Sequence, residues 1–191
     1  MTTQAAAGLE RYRVDAAAST FTAHASAEGL LSAFGHDPVI GIKEFEGEAQ
    51  FVPETFADAS VRLVINASSL AVVNDVKEKD RHEIERVMRE DVLETGKYPE
   101  IVFQSNNVAL SRLGKDRFRA RVIGDLTLHG VTQNNLWLSG EVTLTAEGLR
   151  AKGDFVVKQT DYKITLVSVV GGTLKIKNEV KCSFDILARN T

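Results

Sequence analysis

Four histidines and one cysteine are the side chains in this chain with the most chemistry to offer. His24, His36 and His129, with Asp37 and Asp125, are of the types that ligate metals or carry protons near neutral pH. Their spacing does not favour a metal site, because no pair shares one element at a recognisable ligand repeat. His36-Asp37 is the most suggestive pair: Gly35 and Pro38 hold it on a loop, where a ligand head group could be contacted or the turn merely shaped. His129 ends a strand beside Gly130, which suits a turn role. His82-Glu83 begins like the helix motif of zinc proteases, but Arg86 stands where the second histidine is needed. Cys182 alternates with apolar residues and reads as a buried structural thiol. The chain has no Gly-x-Ser-x-Gly elbow, no phosphate-binding glycine loop and no dinucleotide fingerprint. No catalytic residue, cofactor or metal is therefore expected.

The elements that would position these residues are mostly strands. Val61, Leu63 and Ile65 share one parity, as do Phe118, Ala120 and Val122, and as do Leu136, Leu138, Val142 and Leu144. Near the C-terminus Leu174, Ile176, Val180, Cys182, Phe184 and Ile186 oppose a charged set containing Lys175, Lys177, Glu179, Lys181 and Asp185. Strands with one apolar and one polar face belong to antiparallel sheets. Leu113-Gly114-Lys115-Asp116 and Glu147-Gly148 read as hairpin links. Strands are expected near 10–15, 20–27, 37–52, 60–67, 99–111, 116–129, 133–146, 149–157 and 172–188. About eight long strands of this kind suggest a closed barrel, which leaves no exposed edge and can hold one small ligand. One segment differs: residues 77–93 carry Ile84, Val87 and Met88 at helical spacing among charges, with Gly96 and Pro99 beyond, so one amphipathic helix is expected there.

Composition narrows the class. The chain has 191 residues, 43% apolar and 26% charged, with a formal net charge of −3. One barrel domain over 9–190 with a loose tail at 1–8 fits this length. The net charge argues against a general nucleic-acid binder. Arg117, Arg119 and Arg121 form a stripe that could meet a phosphate or an anionic surface, although its parity suits a solvated outer face. No apolar run approaches the length of a membrane span, and the first ten residues lack the features of a signal peptide. A soluble cytoplasmic protein without stable membrane insertion is expected, and a homodimer stays open.

Four segments carry a resemblance to a known family. Gly124-Asp125-Leu126-Thr127-Leu128-His129-Gly130-Val131-Thr132 resembles the strand-to-turn signature of the YceI family, and Lys97-Tyr98-Pro99-Glu100-Ile101-Val102-Phe103-Gln104-Ser105 resembles its KYP segment. Tyr12-Arg13-Val14-Asp15 with Ser19-Thr20-Phe21 is similar to the family's opening, and Phe45 to Phe51 to its third strand. They stand in the family's order across about residues 11–188. Leu31 to Pro38, and the longer helical stretch between Asp80 and Lys97, depart from the better-known members. The resemblance implies a lipocalin-like antiparallel β-barrel with an internal apolar tunnel that binds polyisoprenoid lipids, such as quinone tails.

The lining expected from strand parity is Phe21 and Phe51, then Val61, Leu63 and Ile65, then Ile101 and Phe103. It continues with Phe118, Val122, Leu126 and Leu128, with Leu136 and Leu138, and with Leu174, Ile176 and Phe184. His36 would stand at the mouth. Gly in a strand often marks a bulge, so a register slip is expected around Ile123-Gly124. Three functions fit these residues. The barrel encloses an isoprenoid lipid or another elongated apolar molecule; or it is an enzyme using His36 and Asp37 at its mouth; or it is a ligand-free structural or interaction domain whose side chains fill the interior.

Overall fold

The structure is a computed structural model and describes residues 8–28, 37–53, 55–169 and 174–191. Its strands are β1 (Glu10–Val14), β2 (Thr20–Glu28), β3 (Val39–Ile42), β4 (Phe45–Phe51), β5 (Ser60–Asn66) and β6 (Leu70–Val72), followed by β7 (Glu100–Arg112), β8 (Arg117–Leu128), β9 (Val131–Thr145), β10 (Gly148–Lys158), β11 (Ser168–Val169) and β12 (Leu174–Asn190). The helix α1 (Glu78–Val87) runs directly into a π-helical turn over Met88–Val92.

Eight of these strands close a ring in the order β1-β4-β5-β7-β8-β9-β10-β12, and β12 returns to β1 through Val14 opposite Ala188 and Tyr12 opposite Asn190. All pairings are antiparallel. Closure follows from the long one-sided strands, because an apolar face that wraps on itself leaves no unpaired edge. β2, β3 and β6 extend the wall at one end: β2 lies along β12 beyond β1, β3 along β2, and β6 along β3.

The expected single strand over 37–52 is in fact two, β3 and β4, broken at Lys43-Glu44. The break sits beside another, at Asn66 to Ser69 between β5 and β6. Asn66 donates from its backbone N to the Glu44 carbonyl at 3.0 Å and from Nδ2 to Glu44 Oε2 at 2.7 Å. Ser69 Oγ accepts from the Glu44 backbone N. Two neighbouring strands thus bend together where the wall curls. The helical segment, α1 with its π-helical turn, runs over 78–92, close to the expected 77–93. Its terminal left-handed residue is Glu94 (φ +44°) and not Gly96.

The register slip expected near Ile123-Gly124 falls on the two strands flanking β8. β7 carries an extra residue between Ser105 and Asn107, and β9 carries one between Gln133 and Leu136. β8 itself keeps a single parity from Phe118 to Leu128. The Asp125 carboxylate holds both bulges: Oδ1 accepts from Asn106 Nδ2 at 2.8 Å and from the backbone N of Asn135 at 3.1 Å. Asn135 takes a positive φ of 60°, which suits Asn.

On the outer wall, Asp185 accepts from Arg150 Nε at 2.6 Å and pairs with Lys152 at 2.8 Å. Chiefly because of the Arg150 hydrogen bond, its carboxyl is drawn down to about 2. A carboxylate depressed in the folded state stabilises it above the ordinary carboxylate range, and that contribution fades as pH falls toward about 2. In Asp185→Asn the melting temperature should therefore lose part of its decline between pH 4 and pH 2, as read by calorimetry across that range. An unchanged acid limb would show that the pair contributes nothing.

Candidate functional site

The barrel encloses a cavity of about 690 Å³. Period-two alternation puts one face of every strand toward it. Phe21, Phe51, Val61, Leu63, Ile65, Ile101, Phe103, Phe118, Val122, Leu126, Leu128, Leu136, Leu138, Ile176 and Phe184 all border it. His36 and the Leu174 side chain lie outside the described residues. After the β7 bulge the inward parity changes from Ile101 and Phe103 to Val108 and Leu110, which a uniform alternation does not anticipate. Phe155 and Val157 on β10, Val180 and Cys182 on β12, and Ile40 and Ile42 on β3 complete much of the wall. Ile40 and Ile42 belong to a short strand and Phe155 and Val157 to one with weaker alternation, whereas Val180 and Cys182 share the inward parity of Ile176 and Phe184.

Aromatic rings shape both the wall and one end. Phe21 meets Phe45, Phe155 and Phe184 edge-on, with centroids 6.2–6.3 Å apart. Toward the hairpins β7–β8 and β9–β10, the β4–β5 loop folds inward. Phe56 sits there with its centroid 4.8 Å from Phe118 and 5.5 Å from Phe51, which stacks on Tyr12. This ring cluster forms a floor. Nothing in the sequence marks Phe56, a lone aromatic in a polar loop held at φ +55°.

The opposite end is covered by α1. Ile84, Val87 and Met88 face the cavity, and Glu83, Arg86 and Glu90 form ion pairs in solvent. Among the described strands β6 pairs with β3 alone, and the helix satisfies its other edge with side chains. Glu85 Oε1 accepts from the Val72 backbone N at 3.0 Å. Arg81 donates to the Val72 carbonyl at 3.0 Å and to that of Asn74 at 3.3 Å. Asn74 in turn accepts from Val39 N and donates to the Asp37 carbonyl, so the chain entering β3 and the approach to α1 are tied at one rim.

His129 also serves this rim. Its Nε2 lies 2.6 Å from Glu94 Oε2, and its Nδ1 lies 3.2 Å from the Tyr162 carbonyl. Both ring nitrogens therefore face oxygen atoms, which fixes the plane of the imidazole. Tyr98 packs edge-on against the imidazole at 4.6 Å and covers Gly130 (φ +69°), where any Cβ would strike its ring. The two motifs singled out in the sequence therefore meet, and they meet to build a turn. Among the described residues no three His, Cys, Asp or Glu side chains could hold a metal. His82 lies on the solvent side of α1 beside Glu78, and Arg117, Arg119 and Arg121 are exposed on the outer wall. Burial raises the Cys182 thiol to about 12, which leaves it protonated and unreactive at neutral pH.

Polar groups are scarce inside. The charged side chains bordering the cavity, such as Asp80, Glu83 and Lys152, are exposed. Gln159 is the only buried polar residue among those described. The arrangement can hold an apolar molecule by exclusion from water, without opposite charges facing it.

A family model described as YceI-like domain matches residues 12–188. UPF0312 proteins of Vibrio parahaemolyticus and Vibrio campbellii are each 32% identical over 133 residues, or 69% of this chain. The match spans 61% of the length of those relatives. Among solved structures, Burkholderia cenocepacia BcnA superposes with a TM-score of 0.67 at 19% identity, covering 91% of this chain and 98% of its own. A structure described as a polyisoprenoid binding domain from Saccharophagus degradans gives 0.67 at 17% identity, covering 94% and 98%. At these identities the likeness is one of fold.

Proposed function

We propose, from the premise that the chain belongs to the YceI family, that it binds and sequesters or carries an elongated apolar molecule, an isoprenoid lipid or quinone tail, inside the barrel. The observation that carries this reading is the cavity of about 690 Å³, walled by aliphatic and aromatic side chains where a filled core would have none. The described structural neighbour from Saccharophagus degradans is consistent with such a ligand. Each buried methylene contributes about 0.8 kcal/mol, so a tail of several isoprene units needs no salt bridge to be retained. The residues bordering the cavity are then the binding residues, and Leu138, Phe103 and Ile176 contact the tail. A binding role is favoured over a catalytic one because His129 is committed to a turn and, among the described residues, no paired acid and base face the interior. No helix among the described residues is long and apolar enough to cross a membrane.

The test is native mass spectrometry and organic extraction of the purified protein, with Leu138→Trp as a blocked control. A co-purifying apolar species of several hundred daltons is expected in the parent and is expected to be lost, or reduced roughly tenfold, in the variant. A parent that carries no ligand and takes up none of a panel of isoprenoids would overturn the reading and favour a ligand-free domain.

A further inference from the structure

Gln159 stands where a binding site would place its polar anchor. It opens a single 3₁₀ turn, Gln159–Tyr162, at the end of β10, borders the cavity and is only 9% exposed. Its Nε2 donates to the Lys177 carbonyl at 2.9 Å. That carbonyl belongs to an irregular stretch of β12, where the register against β2 slips between Ile176 and Val180. The neighbouring residue fixes the same stretch: Thr160 N donates to Asn178 Oδ1, and Asn178 Nδ2 donates to Thr160 Oγ1. The turn is thus held on two sides and cannot reorient freely.

The orientation of the amide follows from chemistry. A backbone carbonyl only accepts, so Gln159 must turn its NH₂ toward Lys177 and its Oε1 elsewhere. Oε1 finds no hydrogen-bond donor among the described residues. The atom is not sealed off, since Arg89 Nε is the one buried side-chain atom left without a partner among the described residues, so a polar group in the cavity can reach it. In an otherwise apolar cavity, such an atom fixes which end of a ligand lies beside it. The turn is at the α1 end, since Gln133 Nε2 donates to the Asp161 carbonyl and His129 reaches the Tyr162 carbonyl. The floor of Phe51, Phe56 and Phe118 is at the other.

Resting on the binding role proposed above, we infer that Gln159 Oε1 accepts a hydrogen bond from the hydroxyl of the ligand, so the barrel selects isoprenoid alcohols over chains whose polar end can only accept. The head lies beneath α1 and the tail runs toward the phenylalanine floor. An ether, an ester or a quinone carbonyl offers no proton to Oε1. A hydroxyl does, and it can also accept from the second amide hydrogen of Gln159.

The probes are farnesol and farnesyl methyl ether, which share a chain and differ in the donor. In the parent protein, calorimetry should show farnesol bound roughly tenfold tighter than the ether. In Gln159→Leu the order should level or reverse, because a hydroxyl taken from water then finds no acceptor, while the ether, which gives Oε1 nothing, should lose less than the alcohol does. Equal affinities in the parent would overturn the inference, and so would a preference for the alcohol that survives in the variant. The comparison in the parent stands even if Gln159→Leu folds poorly. Failure of both probes to bind would overturn the binding role itself, whereas equal binding of both removes only the assignment to Gln159.

Discussion

Gly124→Val is expected to lower the melting temperature by roughly 6–12 °C, corresponding to about 3 kcal/mol. The ring of Phe103 lies across this glycine. A Cβ built at Gly124 would stand 2.5 Å from Phe103 Cζ and 2.5 Å from the Gln104 carbonyl oxygen. The contact on one side is backbone of the paired strand, which cannot yield without breaking the β7–β8 ladder. On the other side Phe103 is itself buried in the core. Neighbouring Asp125 pins the bulges on β7 and β9, so displacement of either strand would also strain those hydrogen bonds. Calorimetry on the parent, on Gly124→Val, on Phe103→Ala and on the double variant checks the cause: the cost of Gly124→Val should be partly recovered when it is measured in the Phe103→Ala background. No recovery would place the strain at the Gln104 carbonyl alone.

Releasing α1 from the barrel is expected to speed exchange of an apolar ligand by roughly tenfold or more. In Arg81→Ala/Glu85→Ala the helix loses its charge-assisted bonds to β6, namely the Val72 backbone N and the Val72 and Asn74 carbonyls. Such bonds contribute about 1.5–3 kcal/mol each when sheltered and less where solvent screens them. A combined loss near 2 kcal/mol would raise the open population roughly thirtyfold. The rest of the attachment is thin, because no residue of α1 is fully buried. Time-resolved native mass spectrometry of farnesol uptake measures the rate, and hydrogen exchange at the Val72 amide shows whether the helix has let go. If Val72 loses protection while uptake is unchanged, the ligand enters past another part of the rim.

The barrel was legible because alternation is strong where strands are long: on β12 from Val180 to Ile186 every apolar side chain is inward, and on β8 from Phe118 to Leu128 only Ile123, paired with the outward Trp137, is not. Where the wall turns, the pattern weakens. Lys43-Glu44 looked like the interior of a strand, because the cue for its break lies on the neighbouring chain at Asn66 and Ser69. The Gly124 signal was real but indirect: the glycine admits Phe103, and the extra residues sit on either side of it. Gln159 left no trace in the sequence. A glutamine after a strand looks like any polar turn residue, and only the three-dimensional approach of Lys177 shows that it is buried. The helix was recognisable by its spacing, but not its attachment, since Arg81 and Glu85 resemble ordinary surface charges until the unpaired edge of β6 lies beside them.

Trp137, the chain's single tryptophan, points outward from β9 and is 67% exposed. Its indole therefore reports on the solvent and not on the interior. Intrinsic emission should be red-shifted in the native protein, change little on denaturation and stay nearly constant as the cavity fills. The outer wall makes the chain optically quiet about its own occupancy. A tryptophan introduced at Leu128, on the inward face of β8, in a Trp137→Phe background would turn that silence into a direct signal of the barrel's contents.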